Sequence, residues 1–201
     1  MSPDASSAGL LAIANDIRRA AAERDPWVAG LRLVGVGWGT VELERAAEEL
    51  SRAFASARLP APDWAPATRE AHLGAAAWVG TASWFGAEGP PRGLTDPELP
   101  AVVLLEPDSE GRLAATLARF DEGVAAIYLE APWAGAAGAA GSAGAAGSAG
   151  AAGSAGPEAT PYPLDPTRVG ASAPGPLGLA RMVLARPAWG PHILVVAGGP
   201  R

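Results

Sequence analysis

Only two imidazoles are available to this chain, His72 and His192, so any histidine-based proton transfer must use them. There is no cysteine and no lysine, which removes thiolate nucleophiles, thiolate metal sites, disulfides and lysine Schiff bases. Carboxylates remain for acid–base work. Glu106, Asp108 and Glu110 are spaced two apart, and Asp121 and Glu122 are adjacent. Such groups serve as general acid and base when their environments separate their pKa values; acids at turns and helix starts are also favoured there by the helix dipole alone. Glu106 and His72 are the candidate catalytic bases. No serine sits in a Gly-x-Ser-x-Gly turn: Ser142 has Ala140 two residues before it, and Ser83 has Thr81.

Two further patterns bear on ligands. Val34-Gly35-Val36-Gly37-Trp38-Gly39-Thr40 resembles a dinucleotide fingerprint, but Thr40 stands where the third glycine is needed and Trp38 is bulky where a pyrophosphate must approach. It reads better as a glycine-rich strand packed closely on a neighbour. Seven tryptophans make an aromatic pocket plausible, with Trp38, Trp78 and Trp84 as its candidate walls and ordinary core packing as the alternative.

The elements that must position these groups follow from periodicity. Leu10, Ala14, Ile17 and Ala21 mark a helix over residues 8–24, ended by Pro26. Leu31–Val36 is a strand, and Leu43, Ala46, Ala47, Leu50 and Phe54 give the next helix an apolar face. Residues 58–68 read as a proline-rich loop. His72–Ser83, Ala101–Leu105 and Gly123–Leu129 read as strands, with a short helix before the last whose Leu113, Leu117 and Phe120 point inward. From Gly135 to Gly156 glycine recurs at every third position, and AAGSAG repeats three times from Ala139. That composition cannot bury a core and reads as a flexible connection. Beyond it, Leu179–Leu184 and His192–Val196 are strand candidates that complete the sheet. The organisation expected is a helical extension over 1–30, a core module over 31–133, the repeat linker over 134–156 and closing strands over 157–201.

The 201 residues fit one domain, and a net charge of −6 argues against nucleic acid and anionic membrane surfaces as partners. No uncharged stretch is hydrophobic enough to span a bilayer, and the first residues lack a signal peptide's basic start, so the expected location is cytoplasmic.

Three segments carry a family resemblance: Val103-Leu104-Leu105-Glu106-Pro107, Ser109-Glu110-Gly111-Arg112-Leu113-Ala114, and Asp121-Glu122-Gly123-Val124-Ala125-Ala126-Ile127. With Leu33–Ala46 upstream, they resemble a module of the vicinal oxygen chelate superfamily, the glyoxalase, bleomycin-resistance and ring-cleaving dioxygenase proteins. The similarity covers residues 31–130, with a degenerate second half around 177–197. It implies an α+β fold with βαβββ modules curving around a ligand site, preceded here by an N-terminal helix. Many members hold a divalent metal in that site. The ligand positions do not carry over: Gly35 stands at the first-strand His position, Ala125 and Ala126 at the next, and Leu194 where a Glu is expected. No metal and no cofactor are therefore expected. The resemblance leaves three functions open: binding or sequestration of a small molecule without metal, an isomerase or lyase of the superfamily, and a homodimeric interaction module.

Overall fold

Short apolar runs with alternating side-chain directions assemble into one curled sheet, described by a computed structural model over residues 7–59, 61–81, 100–108, 110–131, 168–184 and 191–197. The elements are α1 (Ser7–Arg24), a 3-10 turn (Pro26–Gly30), β1 (Arg32–Gly39), α2 (Leu43–Ser56), β2 (Asp63–Glu70), β3 (Ala75–Thr81), β4 (Ala101–Pro107), α3 (Arg112–Phe120), β5 (Gly123–Ala131), β6 (Val169–Gly175), β7 (Gly178–Val183) and β8 (His192–Ala197).

The eight strands lie in the order β2-β3-β4-β1-β5-β8-β7-β6. This order is palindromic. β1 pairs in parallel with β4, β5 pairs in parallel with β8, and an antiparallel β1–β5 pair joins the two halves. A pseudo-two-fold axis between β1 and β5 therefore relates a β1-α2-β2-β3-β4 unit to a unit of β5 to β8. The axis puts Gly123–Ala131 at the start of the second unit, whereas the sequence places that strand within the 31–133 module.

The helices α1 and α2 share one face of the sheet. Leu43, Ala46, Ala47, Leu50 and Phe54 of α2 pack on Val102 and Leu104 of the first unit. Ala14 and Ala21 of α1, with Val28, pack on Ile127, Leu129, Ile193 and Val195 of the second. The helix expected as an extension thus covers the second unit as α2 covers the first, and Arg168 ties its end to the sheet through Asp25 at 2.5 Å. The β5–β6 crossover, where the first unit has α2, contains the repeat of 134–156; residues 132–167 lie outside the described set.

The other face is concave. It is lined by small residues, among them Ala75, Ala77, Ala126 and Ala180, and α3 plugs one end with Leu113 and Leu117. The curl brings β6 against the end of β2, where the Ala71 amide donates to the Pro174 carbonyl at 3.2 Å.

Two strands differ from the sequence expectation. Asp63–Glu70 is a strand, not loop, and β6 was not expected. Both are edges of the sheet, where a proline such as Pro66 or Pro174 need not interrupt a ladder. Phe120 also departs from expectation: it is 50% exposed at the last position of α3.

Candidate functional site

The alternation of β1 turns its glycines to the concave face. A Cβ at Gly35 would lie 2.5 Å from Cδ1 of Leu177 and 3.2 Å from Cδ2 of Tyr128, and one at Gly37 would meet Ala126 and Leu105. Gly35, Tyr128 and Leu194 are register partners across β1, β5 and β8, and Tyr128 is the largest fully buried side chain. Its ring occupies the space that the small neighbours leave.

The Tyr128 hydroxyl donates to Oε2 of Glu70 at 3.3 Å, and the His72 amide donates to Oε1 of Glu70 at 3.1 Å. Glu70 is fully buried. Burial pushes its carboxyl above the usual carboxylate range, against the opposing pull of the His72 amide, the nearby imidazole and the Tyr128 hydroxyl. The Tyr128 phenol is pushed well up by burial and by the Glu70 charge. The His72 ring donates through Nε2 to the Ala180 carbonyl of β7 at 2.9 Å, so it ties the β2–β3 turn to the second unit. The Arg112 guanidinium of α3 lies 3.6 Å from the Met182 sulfur beside it.

The metal-ligand positions carry no donors. Gly35, Ala125, Ala126 and Leu194 offer only carbon, and among the described residues no three His, Asp or Glu side chains converge where an ion could sit. His192 does lie on β8, but its Nε2 is 3.2 Å from the Thr116 hydroxyl of α3. These residues do not fit a divalent metal at the centre of the concave face.

Two of the candidate pocket walls lie elsewhere. Trp38 and Trp78 pack in the cluster beneath α2, on the face opposite the glycines of β1, because alternate strand positions point to opposite faces. Trp64 is anchored there too, its indole donating to the Ser51 hydroxyl at 2.9 Å. Trp84 falls outside the described residues. Glu106 shares a register position with Ala76 on this helix-covered face, so it does not face the concave centre either. Of the candidate bases only His72 borders that centre, and its ring nitrogen is engaged by main chain. Sequence reasoning missed Glu70 and Tyr128. Glu70 becomes legible only once Asp63–Glu70 is taken as a strand, and Tyr128 is the polar tip within the apolar stretch Val124–Leu129.

A separate cleft of about 310 Å³ opens between α1, the end of α3 and the start of β5. Ile13, Phe120, Val124, Ala125 and Pro191 form its apolar walls, and Thr116, Asp121 and Glu122 supply its polar atoms. Glu122 is fixed from three sides: Oε1 accepts from the Thr40 hydroxyl and the Val41 amide, each at 2.9 Å, and from Arg45 at 2.5 Å. Burial alone would raise its pKa, but these donors overcome it and hold the carboxyl below its ordinary value. Asp121, at φ 61° and ψ −170°, occupies a backbone region that is essentially glycine's and costs about 1–3 kcal/mol for other residues. No described side chain bonds its carboxylate.

No family model matches the chain, and no curated protein matches it by sequence. Solved structures do resemble it. A methylmalonyl-CoA epimerase in complex with methylmalonyl-CoA and NH4+ aligns at a TM-score of 0.52 and 15% identity, covering 84% of this chain and 95% of that one. A Streptomyces coelicolor methylmalonyl-CoA epimerase aligns at 0.51 and 15%, over 84% and 98% of the two chains. The Mycobacterium tuberculosis enzyme aligns at 0.50 and 13%, over 84% and 88%. At such identities the likeness is one of fold: this chain is α+β, with the curled eight-stranded sheet of the vicinal oxygen chelate architecture.

Proposed function

We propose that this protein binds a small organic molecule without the help of a metal ion, in the cleft between α1, α3 and β5. The observation that carries this is the filled concave centre, where Tyr128 lies across Gly35 and Leu194 and, among the described residues, no three His, Asp or Glu side chains converge. The cleft lies at the lower end of the size range of small-molecule sites, roughly 300–1,000 Å³, and has their mostly apolar walls. The test is binding of small aromatic probes to metal-stripped protein, followed by tryptophan fluorescence; Trp38 sits opposite Val124, one of the cleft walls. Ile13→Trp, which fills the cleft from α1, is expected to weaken binding at least tenfold. Equal binding by that variant, or binding that requires added metal, overturns the proposal.

A second reading, an isomerase, is favoured by Glu70. A carboxyl with a raised pKa beside a phenol hydroxyl is suited to take a proton from a carbon next to a carbonyl, but Glu70 has no exposed surface, so this reading requires the concave centre to open around Tyr128. Methylmalonyl-CoA is the compound bound in one structure of similar fold. The net charge of −6 weighs against so anionic a substrate. Deuterium uptake from heavy water into methylmalonyl-CoA, lost in Glu70→Gln, would support this reading; no uptake by the wild type sinks it.

A further inference from the structure

We infer that the cleft between α1 and α3 takes an apolar molecule bearing one positive charge, an amine or quaternary ammonium, and discriminates against the carboxylate of the same shape. This rests on the proposal that the cleft binds a small molecule, and adds the charge that it selects.

The walls set the body of the ligand. Ile13, Val124 and Pro191 give it an apolar seat, and the half-exposed ring of Phe120 stands at the same cleft. The electrostatics set its head group. The charged residues that line the cleft are Asp121 and Glu122, both carboxylates. The cation nearest Glu122 is shared: Arg45 lies 2.5 Å from Glu122, 3.3 Å from Glu49 and 3.5 Å from Glu42. One guanidinium thus serves three carboxylates, and the corner stays acidic after pairing. Asp121 adds a fourth acid, exposed at the rim, whose carboxylate no described side chain engages. The Arg119 guanidinium lies 6.0 Å from the Phe120 ring centroid and is not among the described residues that line the cleft. Its position shows that the ring face accepts a cation, as the negative face of an aromatic ring does.

An anion placed here would meet Asp121 and Glu122 with no donor cation among the described lining residues. An ammonium would meet Asp121 as a partner, with the Phe120 ring as an apolar contact for the body that carries it. Thr116 adds no charge, because its hydroxyl already donates to the Arg112 carbonyl at 2.9 Å and lies against His192.

The experiment uses three probes that share one body: 4-phenylbutylamine, 4-phenylbutanol and 4-phenylbutyrate. Each is titrated into the full chain by calorimetry at low and at high salt. The amine is expected to bind about five- to tenfold tighter than the carboxylate, the size of one exposed ion pair replaced by repulsion, and the ratio should shrink as salt rises. Asp121→Asn should remove most of that ratio, with the alcohol titrated alongside to measure any loss of affinity common to all three probes. Asp121→Gly, which suits the backbone geometry, should do the same. If the carboxylate binds as well as the amine, or if the ratio survives both substitutions, the charge assignment is wrong while the cleft still binds. If none of the three binds in the millimolar range, the binding proposal itself falls, and this inference with it.

Discussion

A carboxyl with no exposed surface is easier to keep protonated than ionised, and Glu70 is in that position. Its folded pKa lies above that of an unfolded glutamate, about 4.3, so the native chain holds the proton more tightly. The contribution of Glu70 to stability is then greatest below that value, declines as pH rises and levels off above the folded pKa. Glu122 behaves oppositely: its lowered pKa stabilises the fold above the unfolded value and is lost as pH falls through the folded one. Denaturant unfolding of wild type and Glu70→Gln across pH 4–8 separates the two. The variant is expected to gain stability relative to wild type as pH rises; a constant difference would show that Glu70 ionises freely. Gly35, Ala125, Ala126 and Leu194 could be read singly, because each is a residue type at a position of a strand and needs no neighbour to be recognised. Glu70 could not, since its direction depends on a strand that Pro66 disguises. The placing of Trp38 needed only the alternation of β1, which sets it opposite Gly35 and Gly37.

At the scale of elements, α2 and the three inner strands of the first unit, β1, β3 and β4, were legible, because each shows a helical spacing, an alternation or an apolar run and lies under a packed layer. The edges β2 and β6 were not. They carry prolines and few apolar residues, and the sheet around them, not their own propensity, makes them strands. The helix α1 was legible as a helix but not in its role. It covers Ile127, Leu129, Ile193 and Val195, which no neighbouring element in sequence would cover. Removing residues 1–24 therefore strips the second unit of its apolar lid. The shortened chain is expected to lose near-ultraviolet dichroism and to bind a hydrophobic dye, as a loosely packed state does. Retention of the wild-type near-ultraviolet spectrum would show that α1 is an appendage.

For the molecule as a whole, the symmetry of the sheet and the asymmetry of its helices go together. The first unit crosses from β1 to β2 through α2; the second crosses from β5 to β6 through residues 132–168, with its outer face already covered by α1. With that face covered by α1, the crossing need only be long enough. Three strand spacings and one strand length call for a reach of roughly 30 Å, which about ten extended residues supply. Deleting Ala139–Gly156, all three AAGSAG copies, leaves ample chain. Halving a connection changes its closure entropy by only about 0.6 kcal/mol. The expected melting temperature is unchanged within a few degrees; a large drop would mean that the repeat packs on the fold. The arrangement of strands also sets an order of assembly. β8 follows every other described strand in the chain, yet it lies inside the sheet, between β5 and β7. Until it emerges, the β6–β7 hairpin lacks the strand that joins it to β5, and α1, made before them, has only part of its surface to rest on. The sheet of the second unit therefore becomes continuous only when β8 takes its place between β5 and β7.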